Sequence, residues 1–183
     1  MGNPNTETQC CNFADVYEAE AKNAGHEVRR TDLIAMKFDP LLHKGYKVIQ
    51  ELEPDLKTFQ ENLKWADHFV IVYPIWWSSM PSLLKALFER MWLPAFAFHI
   101  WKNEWGWDKL MKGKTARIIT LSRSRPWLMY FMFGDYTHEL RSALLQFSGY
   151  KVRETNIGQS EIMSPERTKK WEKRITALAR KGT

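Results

Sequence analysis

Two adjacent tryptophans, Trp76 and Trp77, follow Pro74 and Ile75 and precede Ser78 and Ser79. Successive side chains of an extended strand point to opposite faces, so this pair cannot serve one buried face together. In a loop, both can offer ring faces and backbone amides to a flat heterocycle. The same rings can instead seal the core or a subunit interface. Pro74 closes the run HFVIVYP, residues 68–74, whose nearly unbroken apolar character suits a strand covered on both faces by helices. Open α/β sheets bind ligands at the carboxyl ends of such strands, which makes residues 74–78 the leading candidate site.

Other chemistry-bearing residues carry weaker signals. Gly113-Lys114-Thr115 looks like the end of a phosphate-binding loop, but Asp108 stands where the required glycine should be, and the triplet precedes a strand. His26, His43, His68 and His99 have no metal-ligand spacing, and Cys10 and Cys11 are adjacent, which gives neither a disulfide framework nor a metal site. No metal is expected.

The elements that must position residues 74–78 are read from periodicity and capping. Residues 9–24 predict a helix with Phe13, Val16, Tyr17, Ala21 and Ala24 near helical spacing, stopped by Gly25. Residues 26–32 predict a strand near a sheet edge. Residues 33–53 are irregular and too long for a free linker. A second helix starts at Pro54 and buries Leu56, Phe59, Leu63 and Ala66. After the strand 68–74 come the loop 75–80, a helix over 81–92, a buried strand over 115–121, a helix over 135–147 stopped by Gly149, and a weaker strand over 150–156. Ser164 caps a last helix with Pro165 at its first position. Alternating helices and strands predict a four-stranded parallel sheet with crossover helices on both faces. The expected fold class is α/β, a three-layer domain over residues 1–183. No strand precedes the first helix, only a polar stub, so the expected sheet is truncated at its amino-terminal end.

The 183 residues are 44% hydrophobic and 14% aromatic, which argues against disorder. The formal charge of +6, from 27 basic and 21 acidic residues, is spread along the chain and suits an anionic cofactor. No zinc-finger spacing or aromatic-basic module is present, so nucleic acid is not an expected partner. No uninterrupted apolar span predicts membrane insertion, though peripheral association stays open. Residues 1–13 lack a basic stretch followed by an apolar run, so no secretory signal is expected. A reducing, cytoplasmic setting follows.

The segment YPIWWSSMPSLLKALFERMWLPAFAF, residues 73–98, resembles the flavodoxin-like NAD(P)H:quinone oxidoreductases, including the modulator-of-drug-activity proteins and the ancillary oxidoreductases of potassium efflux systems. AGHEVRRTDLIAMKFDP, LEPDLKTFQENLKWADHFV and LLQFSGYKV agree with it, as does the SPERTKKWEKRI tail. The resemblance implies a flavodoxin-like sheet, FMN or FAD held by three loops at its carboxyl side, NAD(P)H as co-substrate, ping-pong transfer to a quinone, and a homodimer. It places the flavin loop on Pro74, Ile75, Trp76, Trp77 and Ser78, with backbone amides toward the isoalloxazine edge. It puts Thr8 in place of a phosphate-binding serine at a helix start, where helix amides cradle anions, and Asn3 in place of the family's histidine. In the third loop Ser122 and Arg123 join Arg125 as candidate contacts of cofactor phosphate, against the alternative of a solvated basic loop. His138 lies near a family histidine and is the candidate proton carrier, or is structural. The dimer face is expected on the helix 82–92 and the aromatic run after it, including Trp92, Phe96, Phe98 and Trp101. A non-catalytic interaction or regulatory protein that has lost flavin is the alternative function.

Overall fold

The computed structural model of the chain describes residues 1–103 and 105–183. Helix α1 (Gln9–Asn23) comes first, then two short 3-10 turns (Leu33–Ala35 and Gly45–Lys47), α2 (Pro54–Trp65) and strand β1 (His68–Pro74). Next come α3 (Ser82–Met91), the short strands β2 (Phe98–Ile100) and β3 (Trp107–Lys109), and β4 (Thr115–Leu121). The chain ends with α4 (Pro126–Phe133), a π-helix (Glu139–Gln146), β5 (Lys151–Ile157) and α5 (Pro165–Arg180). β4 lies between β1 and β5 in a parallel sheet, and β2 pairs with β3 in an antiparallel ribbon.

Strand alternation assigns the two cores. Ile71, Tyr73 and Ile118 turn toward α2 and α3, where they pack with Leu56, Leu84 and Phe88. Val72, Ile119 and Leu121 turn the other way and pack with Phe13 of α1 and Ile175 of α5. Helix ends follow their capping residues. Pro54 opens α2. The Ser164 hydroxyl accepts the Arg167 amide at 3.3 Å ahead of Pro165. Gly25, at φ +88°, turns the chain after α1.

Four expectations need correction. Residues 26–32 are extended but form no strand, so the parallel sheet of the described residues has three strands, not four. Only their last part finds a ladder partner: the Met1 amine donates to Thr31 O at 2.7 Å, and Leu33 N donates to Met1 O at 3.0 Å. Residues 126–133, read as loop, form α4, with Pro126 at its start and Gly134 after its end. The helix expected over 135–147 is a π-helix from Glu139. Trp92 and Phe96, assigned to a dimer face, are buried in the protein's own core, and the Trp92 indole donates to the Ser148 hydroxyl at 2.8 Å. Among the described residues no helix is long and apolar enough to cross a membrane.

One buried side chain ties three points of the irregular segment 33–53 together. Arg90, 1% exposed on α3, donates to the carbonyl of Asp39, to Glu51 O at 3.0 Å and to the Glu53 carboxylate at 2.9 Å. Burial alone would raise the Glu53 carboxyl, but hydrogen bonds from Arg90 and from the Asp39 amide outweigh it and hold the group below the ordinary carboxylate range. Removing Arg90 leaves the Asp39 and Glu51 carbonyls without their donor and the partly exposed Glu53 without its charge partner, so Arg90→Ala should destabilise the fold by about 1–3 kcal/mol in urea unfolding. A carboxyl lowered by folding stabilises fully above its unfolded value of about 4.3 and loses that contribution as pH falls through its folded value. Arg90→Ala should therefore flatten the acid limb of the stability curve below about pH 4.

Candidate functional site

The register Pro74↔Leu121↔Ile157 makes the three strand ends level. Gly2 N donates to Val72 O at 2.8 Å, which brings the amino-terminal segment up to the same edge. Residues 3–8, 74–80, 122–125 and 158–163 therefore leave the sheet on one side. Ile75 N reaches Leu121 O at 2.8 Å, Ser122 N reaches Ile157 O at 2.9 Å and Ser160 N reaches Ser122 O at 3.0 Å.

The tryptophan loop is a tight turn. Trp76 and Ser79 exchange backbone bonds at 2.9 and 3.0 Å, and the two central residues, Trp77 and Ser78, have φ of 49° and 61°. Two successive positive φ values make a type I′ geometry, usually filled by Asn or Gly. The turn pushes the Trp77 ring wholly into solvent, at 102% exposure, with Trp76 half exposed. It also decides which amides are free. Pro74 has none, Ile75 and Trp76 spend theirs within the protein, and only Trp77 and Ser78 keep amides without a partner among the described residues.

The first loop is closed by Asn3. This buried side chain donates to the Thr8 hydroxyl at 3.0 Å and accepts the Asn5 amide at 3.1 Å, while Glu7 N reaches the Asn5 side chain at 2.9 Å. The Thr8 hydroxyl, donating back to Asn5 O, makes no cap on α1. The first amides of α1 thus stay open, with no acidic residue in that turn, an arrangement that attracts an anion. Cys10 at the helix start is not a nucleophile: burial pushes its thiol up to about 12 against the opposing bonds from Asn3 and Thr8.

The remaining candidates are placed less tightly. Ser122 is buried and its hydroxyl donates to Ser124 O at 2.8 Å, a bond within its own loop. Arg123 is exposed, 3.6 Å from Glu161. His138 is largely exposed, 3.8 Å from the Asp135 carboxylate, and bonds to none of the other predicted residues among those described. Its neighbour Glu139 does reach the turn, accepting from the Ser79 hydroxyl at 3.4 Å and pairing with Lys85 at 3.1 Å. Among the described residues no group of three or more His, Cys, Asp or Glu is placed to hold a metal.

A profile described as a flavodoxin-like fold matches residues 1–180. The chain belongs to that family. Within it, the chain is similar to the NAD(P)H dehydrogenase (quinone) 1 of Rattus norvegicus, 26% identical over 188 residues that cover 86% of this chain and 68% of the relative. Among solved structures, Smu.1420 from Streptococcus mutans UA159 superposes with a TM-score of 0.80 at 26% identity, covering 97% of this chain and 95% of that one. The NAD(P)H:quinone oxidoreductase from Methanothermobacter marburgensis superposes at 0.82 with 18% identity, covering 97% and 93%, a likeness of fold alone. The flavodoxin-like α/β class is therefore established, a parallel sheet with an added antiparallel ribbon.

The turn has a measurable signature. Ser78→Gly should stabilise the protein by up to about 1 kcal/mol, because glycine adopts positive φ without a Cβ clash. Ser78→Val should destabilise it by about 1–2 kcal/mol, because a β-branched residue is poorly tolerated there. Thermal melts of the two variants, moving in opposite directions, check the geometry.

Proposed function

We propose that this chain is a flavin-dependent NAD(P)H:quinone oxidoreductase that uses FMN or FAD. The carrying observation is the Trp77–Ser78 turn, which sets two unpartnered amides and an exposed indole at the carboxyl edge of a flavodoxin-like sheet. The quinone reductase named among its relatives supports the reading.

The residues present fit a flavin. The amides of Trp77 and Ser78 would donate to the isoalloxazine edge, and the Trp77 ring would cover part of the flat system. The open amides of α1 behind Thr8 would hold the phosphate, with Arg123 and Arg125 supplying charge. When bound, the flavin supplies the two-electron chemistry between a nicotinamide and a quinone. His138, 3.8 Å from Asp135, is the proton carrier this reading assigns.

A homodimer belongs to this reading, but its face moves from the one read in sequence. Trp127, Tyr130, Phe131 and Phe133 of α4 are all more than half exposed, and α4 follows directly on the loop of Arg123. Trp76 and Trp77 are exposed as well, and exposed aromatic surface of this kind marks contact sites. A second copy covering it would exclude water from the turn. Phe131→Asp should then shift sedimentation at micromolar concentration toward monomer, because a charge would face an apolar partner. An unshifted profile removes this face as the interface.

The activity is tested by incubating the purified chain with FMN and FAD separately, desalting, and recording absorbance near ~450 nm, where bound flavin absorbs. NAD(P)H oxidation with a soluble quinone should then give ping-pong kinetics. Trp77→Ala should weaken flavin retention about tenfold, equivalent to about 1.4 kcal/mol. Retention of neither flavin would end the enzymatic reading and leave a binding protein on the same fold.

A further inference from the structure

A buried cation without a counter-charge lies toward the other end of the sheet. Arg117 is the third residue of β4, ~13 Å along the strand from Leu121. It shares the face of Ile119 and Leu121, which looks onto α1 and α5, and it is 5% exposed. Its guanidinium donates to the Thr155 hydroxyl at 2.9 Å, while its Nε has no partner among the described residues. The Tyr17 hydroxyl, on a side chain 8% exposed in the same core, is unpartnered too. Arg153 is level with Arg117 on β5, so both lie on one face of the sheet. Arg174 of α5 lies over the Trp171 ring, 5.0 Å from its centre.

An isolated charge is costly away from water, so a buried guanidinium ordinarily has a carboxylate beside it. Here every carboxylate on the surrounding elements is engaged elsewhere. Asp15 and Glu18 of α1 pair with Arg30, and Glu20 pairs with Arg180. On α5, Glu166 is held by its own amide and by Ser164, and Glu172 accepts from the Asn12 side chain at 3.0 Å. Glu154 of β5 alternates to the opposite face, where it meets Arg141. β1 and β4 contain no acidic residue. Tyr17 does not supply the charge either, because burial pushes its phenol up to about 12 against the pull of Arg117. Burial also lowers the affinity of Arg117 for a proton; Tyr17 opposes this, and Arg153 and Arg174 reinforce it.

We propose that Arg117, Tyr17 and Thr155 form the floor of a binding site for one phosphate-type oxyanion, with the exposed Arg153 and Arg174 at its mouth. The Arg117 Nε–H and the Tyr17 hydroxyl would donate to the anion. The Thr155 hydroxyl accepts from Arg117 and keeps its own proton to give. Bonds from a guanidinium to an oxyanion are charge-assisted, and three cations without a carboxylate favour a dianion. Bound there, the anion would tie α1 and α5 to the sheet. Free phosphate and a phosphate ester present the same chemistry to these groups. The site is separate from the open amides of α1, which lie at the carboxyl edge.

The Arg117 Nε–Hε signal in proton–nitrogen NMR reports on the site directly. Inorganic phosphate, titrated at constant ionic strength, should shift this signal saturably, and chloride should not. Arg153→Gln and Arg174→Gln alter exposed residues and leave the fold intact, and each should weaken phosphate binding about fivefold or more. Phosphate should raise the melting temperature of the unaltered chain, and Arg117→Gln should abolish that rise. A parallel titration with AMP separates the sources: tighter binding than phosphate assigns an esterified phosphate, and equal or weaker binding assigns the free ion. A signal that ignores phosphate, or that chloride moves equally, would overturn the site. Unchanged phosphate affinity in both exposed variants would overturn it as well. These readouts need no flavin, so their outcome is independent of the catalytic reading.

Discussion

The two-sided pairing of β4 is the constraint on which the rest depends. Seven consecutive residues match His68–Pro74 on one side and Lys151–Ile157 on the other without a slip. In a parallel ladder a slip of one residue would exchange the two faces of a strand, and here both faces are core. Ile118 and Ile119, adjacent and each 0% exposed, feed opposite cores, so neither can move without losing its packing. Because the register is fixed, the strand ends are level, and loops far apart in sequence become one edge. Arg117 shows how tightly the strand is held: it is buried, its guanidinium donates to the Thr155 hydroxyl at 2.9 Å, and burial lowers its affinity for a proton.

The sequence was most legible where a segment's own composition settles its state. The apolar runs at 68–74 and 115–121 can only be covered strands, and Ser164-Pro165 can start a helix without outside help. Residues 26–32 differ in kind. Their extended backbone was readable, but a strand exists only by its partner, and the ladder beside them holds no more than Met1 and Gly2. α4 escaped for another reason. PWLMYFMF is apolar all round, so it has no helical period to detect, and the capping signs of Pro126 and Gly134 were the only available signal. Trp92 and Phe96 show the same limit from the other side. An aromatic run records that rings need cover without saying whether the protein's own core or a partner provides it.

At the site, residue types were readable and bonding was not. Trp76 and Trp77 declared a loop, but which amides remain free depends on the Trp76–Ser79 exchange, which no spacing rule reveals. Asn3 looked like a departure from a family pattern. In the folded chain it is the buried bracket of its loop, using its side-chain amide to hold Thr8 and Asn5. Glu139 was overlooked because it carries no motif, and its part comes only from its reach to Ser79 and Lys85.

Away from β4, β1 has an open edge, and its two halves have separate consequences. The upper half is closed by Met1 and Gly2, and the same bonds position the loop that leads into α1. Close packing shapes that contact further: a Cβ on Gly2 would lie 2.8 Å from the Cδ2 of Leu84, so a larger residue there would push the end of that side chain aside. The lower half contributes nothing to the loop directly. Residues 26–32 beside it are held by Arg30 to Asp15 and Glu18 of α1 and by Arg29 to Asn62 of α2, and they hold Met1 through Thr31. The first loop is therefore tied to the sheet by a few backbone bonds at Met1 and Gly2, while the tryptophan turn is built onto the fully paired side. A disturbance of the open edge should loosen the anion end of the site and leave the Trp77–Ser78 turn in place.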